Sequence, residues 1–503
     1  VPFDFVTYTD AATLGGDITD TVLNQEHQIT SVVDDDTYII DPGVTATASD
    51  TGNGGASTVG TYQINVGLDT TIGGNGWGAG VWGRGSWGSG TSLTAVSDLL
   101  RIWSHDNFGE DLIINVRGGN IYYWDKSENV GIITFDRAVP LSSLSGADTG
   151  TPTKATKILV SDRDRHVIAF GADPFNNIGT QDPLLIRFSN QEDPTTWIPT
   201  ATNTAGDIRI GNGSRIVTAV ETRQQILVFT DSSLHAMQFL GPPFTFGIQL
   251  ISENTTIMGA NAAVAVDDSV FWMGVEEFYV YAGGVQPLPC SVRDTIFSDF
   301  NFAQREKVFA GLNSSFGEIW WFYPSADSDD IDKYVIYNYE QKIWYYGTLD
   351  RTAWLDRGII TTPVATSPDG FLLLHEAGFD DSSVQPPVPV DAYIESSQID
   401  IGDGDNFVFI RRLIPDLTFR DSSADNPSAT MTLKARNFPG GSYRTLDDST
   451  ISRTAVVPVE EFTDQSHVRL RGRSFALRVE SDDLGVGWRL GSPRVDIRED
   501  GGR

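Results

Sequence analysis

Six histidines (His27, His105, His166, His235, His375 and His467) and one cysteine, Cys290, are the side chains best suited to metal or nucleophilic chemistry. Their spacing supports neither. No two histidines stand two or four residues apart, so no strand or helix presents a ligand pair, and a single thiol supplies no zinc set. Each histidine reads as a surface or turn residue. Cys290 follows Pro289 without a neighbouring His and reads as a small buried hydrophobe. No G-x-S-x-G elbow occurs, and no Ser, His and Asp stand in a telling order. The carboxylate pairs Glu276–Glu277, Asp267–Asp268 and Asp482–Asp483 could be posed as glycosidase acids, yet among 67 Asp and Glu such pairs arise from composition alone. The acidic runs Asp34–Asp36 and Asp327–Asp332 invite a calcium reading. The first has no ligand spacing and the second lacks the Gly and the closing Glu of a calcium loop, so both read as solvated strand connections. The expectation is a protein that is not an enzyme, with no catalytic, cofactor-binding or metal-ligating residues.

Two other groups could bind a partner. Arg469, Arg471, Arg473 and Arg478 form the one dense basic cluster. Aromatic interleaving is limited to Phe475, which gives little support to a single-stranded DNA platform. The cluster is either a solvated strand face paired with acidic neighbours or an interface with an acidic partner. In the run GGNGWGAGVWGRGSWGSG, Trp77, Trp82 and Trp87 recur every five residues among glycines. That period is neither the 2 of a strand nor the 3.6 of a helix, so the run reads as an extended loop with three bulky anchors. Without a G-K-[ST] ending it is not a phosphate cradle. The tryptophans either pin the loop to its own domain or dock into a neighbouring subunit, where Trp is enriched.

The elements that must position these groups are strands. Fifty Gly, 23 Pro, 11% aromatics and four Met in 503 residues suit an all-β chain of many short strands and turns. Only Cys290–Phe300 and Phe302–Phe309 offer a helical spacing, and both are short. One cysteine permits no internal disulfide framework, so stability must come from burial. No apolar run approaches the length of a membrane span, and no basic-then-apolar stretch reads as a signal peptide. The chain starts at Val1 in what reads as a strand, as if a processed or upstream segment preceded it.

The net charge of −32 is uneven: residues 1–97 carry eleven acidic side chains against Arg84 alone, and residues 391–503 hold 15 of the 35 Lys and Arg. Such a surface repels polyanions and disfavours nucleic-acid binding. It suits either solubility in a salty medium or a surface past which DNA must slide.

Three regions follow. Residues 1–97 form a small β domain ending in the Gly/Trp loop. From 98 to 385 a strand–turn unit of roughly 40–50 residues recurs, the mark of a β-propeller. About six blades are expected, with Ile121–Trp124, Phe278–Tyr281 and Ile343–Tyr346 in equivalent positions. The first blade begins with runs Leu99–Trp103 and Asp111–Val116 flanking a polar turn, Ser104–Glu110. After the Pro-rich joint 384–390, residues 386–503 read as a β-sandwich, alternating clearly at Val468–Arg471 and Phe475–Val479.

The wording R-I-W-S-x-D-N-F-G-E-D-L-I (101–113) with R-G-G-x-I-Y-Y-W-D (117–125) resembles the nozzle, or hub, proteins in the tails of short-tailed bacteriophages. The tail of the chain, R-G-R-S-F-A-L-R-V-E-S (471–481), G-W-R-L-G (487–491) and R-x-D-I-R-x-D-G-G-R (494–503), resembles the same family. The likeness is most specific over 1–130 and 390–503. It implies a virion structural protein, assembled in the host cytoplasm into a six-membered ring that conducts the genome during ejection. Implied partners are adaptor or head–tail connector proteins, tail fibres, and double-stranded DNA in transit without sequence-specific binding. The alternatives are a propeller glycosidase or lyase, which would need a carboxylate cluster on the propeller axis, and a carbohydrate-binding protein.

Overall fold

The computed structural model describes residues 5–34, 37–50, 53–62, 100–127, 138–241, 244–382, 384–400, 404–438, 440–441, 443 and 453–501. The chain is all-β: a β-propeller with six blade sheets, a small β domain before it and a β-sandwich after it. By compactness it divides into two units, the first Val1–Val308 with Pro324–Asp330, the second Phe309–Tyr323 with Ile331–Arg503. The division falls between the fourth and fifth blade sheets rather than at a boundary visible in composition.

The first unit opens with a four-stranded sheet ordered Thr37–Ile40, Glu26–Asp34, Phe5–Thr9, Val59–Tyr62. Alternation buries Val6, His27 and Ile29 on one face. Four meanders follow, each an antiparallel sheet in which neighbours in sequence are neighbours in space. The first comprises Trp103–Phe108, Asp111–Val116, Ile121–Trp124 and Val139–Pro140, and the second Lys157–Val160, Val167–Phe170, Leu185–Phe188 and Gly206–Arg209. The third runs from Ile216–Glu221 through Ile226–Thr230 and Ser233–Gly241 to Thr245–Glu253, and the fourth from Ala263–Val266 through Ser269–Met273 and Phe278–Tyr281 to Val285–Leu288. Their first strands lie side by side in chain order, the arrangement of inner strands in propeller blades. Apolar side chains fill the space between sheets: Ile113, Ile121, Ile158 and Ala169 between the first two, Phe170, Ile186, Ile216 and Val228 between the second and third. The two expected helical stretches are the short helix Arg293–Ser298 and the 3-10 turn Phe302–Lys307.

Three expectations need correction. The first strand runs Trp103–Phe108, so most of the supposed polar turn is strand, and Gly109, at φ +72°, takes the turn. Polar residues tolerate a strand there because Ser104 and Asp106 spend their side chains on the backbone of the next blade. Ile343–Thr348 is a fourth strand, whereas Ile121–Trp124 and Phe278–Tyr281 are third strands; the third strand of the fifth blade is Lys333–Asn338. Finally, His27, His166 and His235 are buried rather than on the surface. His166 sits within 5.2–6.4 Å of the rings of Phe188, Phe239 and Phe246, with Nε2 3.0 Å from Thr204 Oγ1. Burial lowers its pKa to about 4, so it packs as a neutral ring.

In the second unit the fifth blade has strands Phe309–Asn313, Glu318–Tyr323, Lys333–Asn338 and Ile343–Thr348. The sixth has only three, Ala353–Leu355, Val364–Thr366 and Leu372–Leu374. Trp354 of the sixth packs on Trp320 of the fifth, ring centroids 5.2 Å apart and 14° from parallel. Gly311, directly across from Trp320, leaves the room: a Cβ there would lie 2.5 Å from Trp354. The sandwich then forms from two sheets. One is ordered Ala392–Glu395, Ser474–Ser481, Ser428–Arg436, Thr454–Glu460, and the other Ser466–Gly472, Val408–Ile414, Arg494–Glu499. Met431, Leu433, Val457, Phe475 and Val479 of the first sheet meet Ile410, Leu413, Val468 and Leu470 of the second. Full burial of each such side chain contributes about 1.5–3 kcal/mol.

Candidate functional site

The inner strands of the first unit gather the carboxylates and the lysine that alternation turns away from the apolar layers. Asp106 Oδ2 accepts the Val160 N–H at 2.8 Å, and Ser104 Oγ accepts the Ile158 N–H at 3.2 Å. Lys157 Nζ donates to Thr218 Oγ1 at 2.9 Å, and the Asp162 N–H donates to Glu221 Oε1 at 3.2 Å. Burial raises the pKa of Asp106 and lifts Glu221 to about 7, where the charges of Asp162, Asp106 and Asp164 add to the effect. Burial also lowers Lys157 to about 8 against the pull of Asp106. A catalytic acid must offer its proton to a substrate. Here Asp106 and Glu221 are each engaged by a backbone N–H of the neighbouring blade, so the group ties blades together.

A second cluster lies in the second unit, between the fifth and sixth blades. Asn313 ends one strand and faces Glu318, which begins the next, so their side chains share a face. Tyr345 OH donates to Glu318 Oε1, and Trp320 Nε1 donates to Oε2 at 3.1 Å. Asn313 Nδ2 donates to Glu376 Oε1 at 3.3 Å. Burial raises both carboxyls, Glu318 to about 7 with Glu376 adding to it. Arg351, which bonds His375 next to Glu376, is committed there: Nε donates to His375 Nε2 at 2.9 Å and Nη1 to Asp350 Oδ1 at 2.9 Å. Sequence reasoning missed this cluster because Glu318 begins a strand of the fifth blade and Glu376 lies 58 positions later, in the bend after Leu372–Leu374, with no motif linking them.

Of the residues singled out from sequence, Trp77, Trp82 and Trp87 lie outside the described residues, as do Asp35 and Asp36. In the basic cluster, Arg469 and Arg471 lie on Ser466–Gly472 of one sandwich sheet, Arg478 lies on Ser474–Ser481 of the other, and Arg473 lies between the two strands. Arg471 pairs with Asp500, and the guanidinium carbons of Arg471 and Arg473 lie 4.0 and 4.8 Å from the Phe407 ring centre. Arg478 pairs with Glu480 at 2.7 Å and Glu395 at 3.5 Å and covers the Tyr393 ring at 4.0 Å; Arg469 is exposed. In the acidic run 327–332, Asp330 pairs with Lys307 and Asp329 accepts from Asn301 Nδ2 at 3.3 Å. Burial pushes the Cys290 thiol up to about 11, away from thiolate chemistry. Among the described residues no helix is long and apolar enough to cross a membrane.

No family model matches the chain, and no curated protein does. Among solved structures, it is similar to Hsv2 of Kluyvelomyces marxianus, at 9% identity and TM-score 0.33 over 54% of this chain and 70% of that one. It is also similar to the N-terminal domain of Nup159, at 8% identity and TM-score 0.34 over 54% and 74%. BamB of Moraxella catarrhalis is similar at 12% identity and TM-score 0.27 over 55% and 86%.

Proposed function

We propose that this chain is a structural subunit of a phage virion, a member of the six-copy ring that forms the nozzle of a short tail and lets the genome out. The observation that carries the reading is the wording of residues 101–125, repeated in kind at 471–503, which resembles the nozzle family. Three features of the molecule support it. The inner-strand carboxylates of the first unit are engaged in holding its blades together. The net charge of −32 suits a wall along which a polyanion slides, since each Lys or Arg on phosphate would strengthen adhesion through counterion release.

The third feature is the sixth blade. Among the described residues no strand pairs with the outer edge of Leu372–Leu374, and Leu355, Phe371, Leu372 and Leu374 are 60–69% exposed. An open edge beside exposed apolar side chains suits a partner strand or surface. In a ring built from one chain, that surface meets a different patch of the next copy, because cyclic closure requires a heterologous interface.

The test is mass photometry and negative-stain imaging of the purified full chain, alone and with the adaptor ring of a short tail. Closed rings of six subunits are expected. A chain that stays monomeric under both conditions would overturn the reading.

A further inference from the structure

We propose that Asn313, Glu318 and Glu376 form a binding site for a hard divalent cation, calcium fitting best, between the fifth and sixth blades of the second unit. The donor set is all oxygen: two carboxylates and one carboxamide, the ligands that calcium accepts in its loose coordination sphere. Carboxylates alone would not make a site. The added observation is Asn313, whose side chain is fully buried and whose Oδ1 has no hydrogen-bond partner. Leaving a buried acceptor unpaired is costly, and native folds retain few such atoms without a use. This one belongs to a residue facing Glu318 across the strand pair and bonded to Glu376, so the uncommitted oxygen is part of the carboxylate group.

Charge accounting points the same way. Among the described residues, no Lys, Arg or His forms an ion pair with Glu318 or Glu376, while Arg351 is spent on Asp350 and His375. The charge of Glu376 acts on Glu318 without a counter-charge beside them, and a divalent ion held by both removes that cost. Tyr345 and Trp320 occupy one position on each Glu318 oxygen and orient the group, and each oxygen keeps a second lone pair. Glu376 is exposed as a whole residue while its carboxyl is partly enclosed, and it has φ +57°, a backbone conformation uncommon for a residue with a side chain. The entry path is therefore on its side of the cluster. With three protein ligands and water for the rest, affinity falls in the weak range of extracellular calcium modules, a Kd of about 10⁻⁴–10⁻³ M.

The experiment is calorimetric titration of calcium chloride into the full chain after EDTA treatment, paired with terbium luminescence excited through tryptophan. Trp320 donates to Glu318 itself, so terbium bound there sits close enough for sensitisation. One saturable site per chain is expected, with sensitised emission that calcium displaces. Glu376→Gln should weaken binding at least tenfold and remove the emission. The exposed position of Glu376 makes that variant safe to fold, which near-ultraviolet circular dichroism checks. Asp329→Asn, in the acidic run elsewhere, should bind as the parent does. No saturable heat, or binding unchanged in Glu376→Gln, would overturn the assignment. Ring formation is measured separately, so this site and the nozzle reading fail independently.

Discussion

Asp106 on the inner strand of the first blade accepts, through Oδ2, the backbone N–H of Val160 on the inner strand of the second, at 2.8 Å. Adjacent blades are thus joined by a side chain reaching to a main chain. Replacing Asp106 by Ala leaves that N–H unpaired in a half-buried place and should cost about 1–3 kcal/mol. Asn keeps an acceptor and discards the buried charge, so Asp106→Asn should lie within about 1 kcal/mol of the parent. Urea denaturation of the three proteins side by side checks both expectations.

The Glu221 carboxyl, lifted to about 7 by burial and then by its acidic neighbours, makes stability depend on pH with a definite sign. The folded state holds this proton more tightly than the unfolded chain. Below the unfolded pKa both states are protonated and nothing is lost. As pH rises through about 7 the folded state must carry a buried charge, so stability falls. Glu221→Gln should match the parent Tm near pH 4 and exceed it at pH 8, by on the order of 2 °C. A parent that gains stability relative to the variant on raising pH would contradict the assignment.

Gly311 makes room for the Trp320–Trp354 stack. Gly311→Ala puts a Cβ 2.5 Å from Trp354 and must displace the ring, at a cost of about 1–3 kcal/mol. The near-ultraviolet dichroism of the stacked indoles should weaken together with Tm. Gly358→Ala, where nothing lies within 4 Å, should alter neither.

Replacing Trp77, Trp82 and Trp87 together with Ala should weaken ring formation while leaving the subunit folded. Mass photometry across a concentration series reads the change. Normal rings at all concentrations would show that these tryptophans serve their own subunit alone.

The meanders were legible because short apolar runs ended in Gly, Asn or Asp at regular spacing, as in Ile121–Trp124 and Phe278–Tyr281. The sandwich was legible where apolar and basic residues alternate, as at Val468–Arg471. What escaped depends on neighbours in space. Ser104–Phe108 looked like a turn because its polar side chains are satisfied by another blade. Thr454–Glu460 is a strand that carries Pro458, a residue that argues against a ladder; it lies at the sheet edge, where a missing N–H costs little. The Asn313–Glu318–Glu376 cluster is a product of packing, and no local pattern encodes it.

The second blade is bonded in both directions. Its Ile158 and Val160 amides find acceptors in the first blade, while Lys157 and the Asp162 amide find theirs in the third. Its inner strand cannot open without releasing groups held by both neighbours, so these three blades should behave as one cooperative unit in native-state hydrogen exchange. Amides from Ile158 to Asp162 would then exchange with a single opening energy, higher than that of an isolated four-stranded sheet. During synthesis this unit is complete once the third blade, whose last strand ends at Glu253, has emerged.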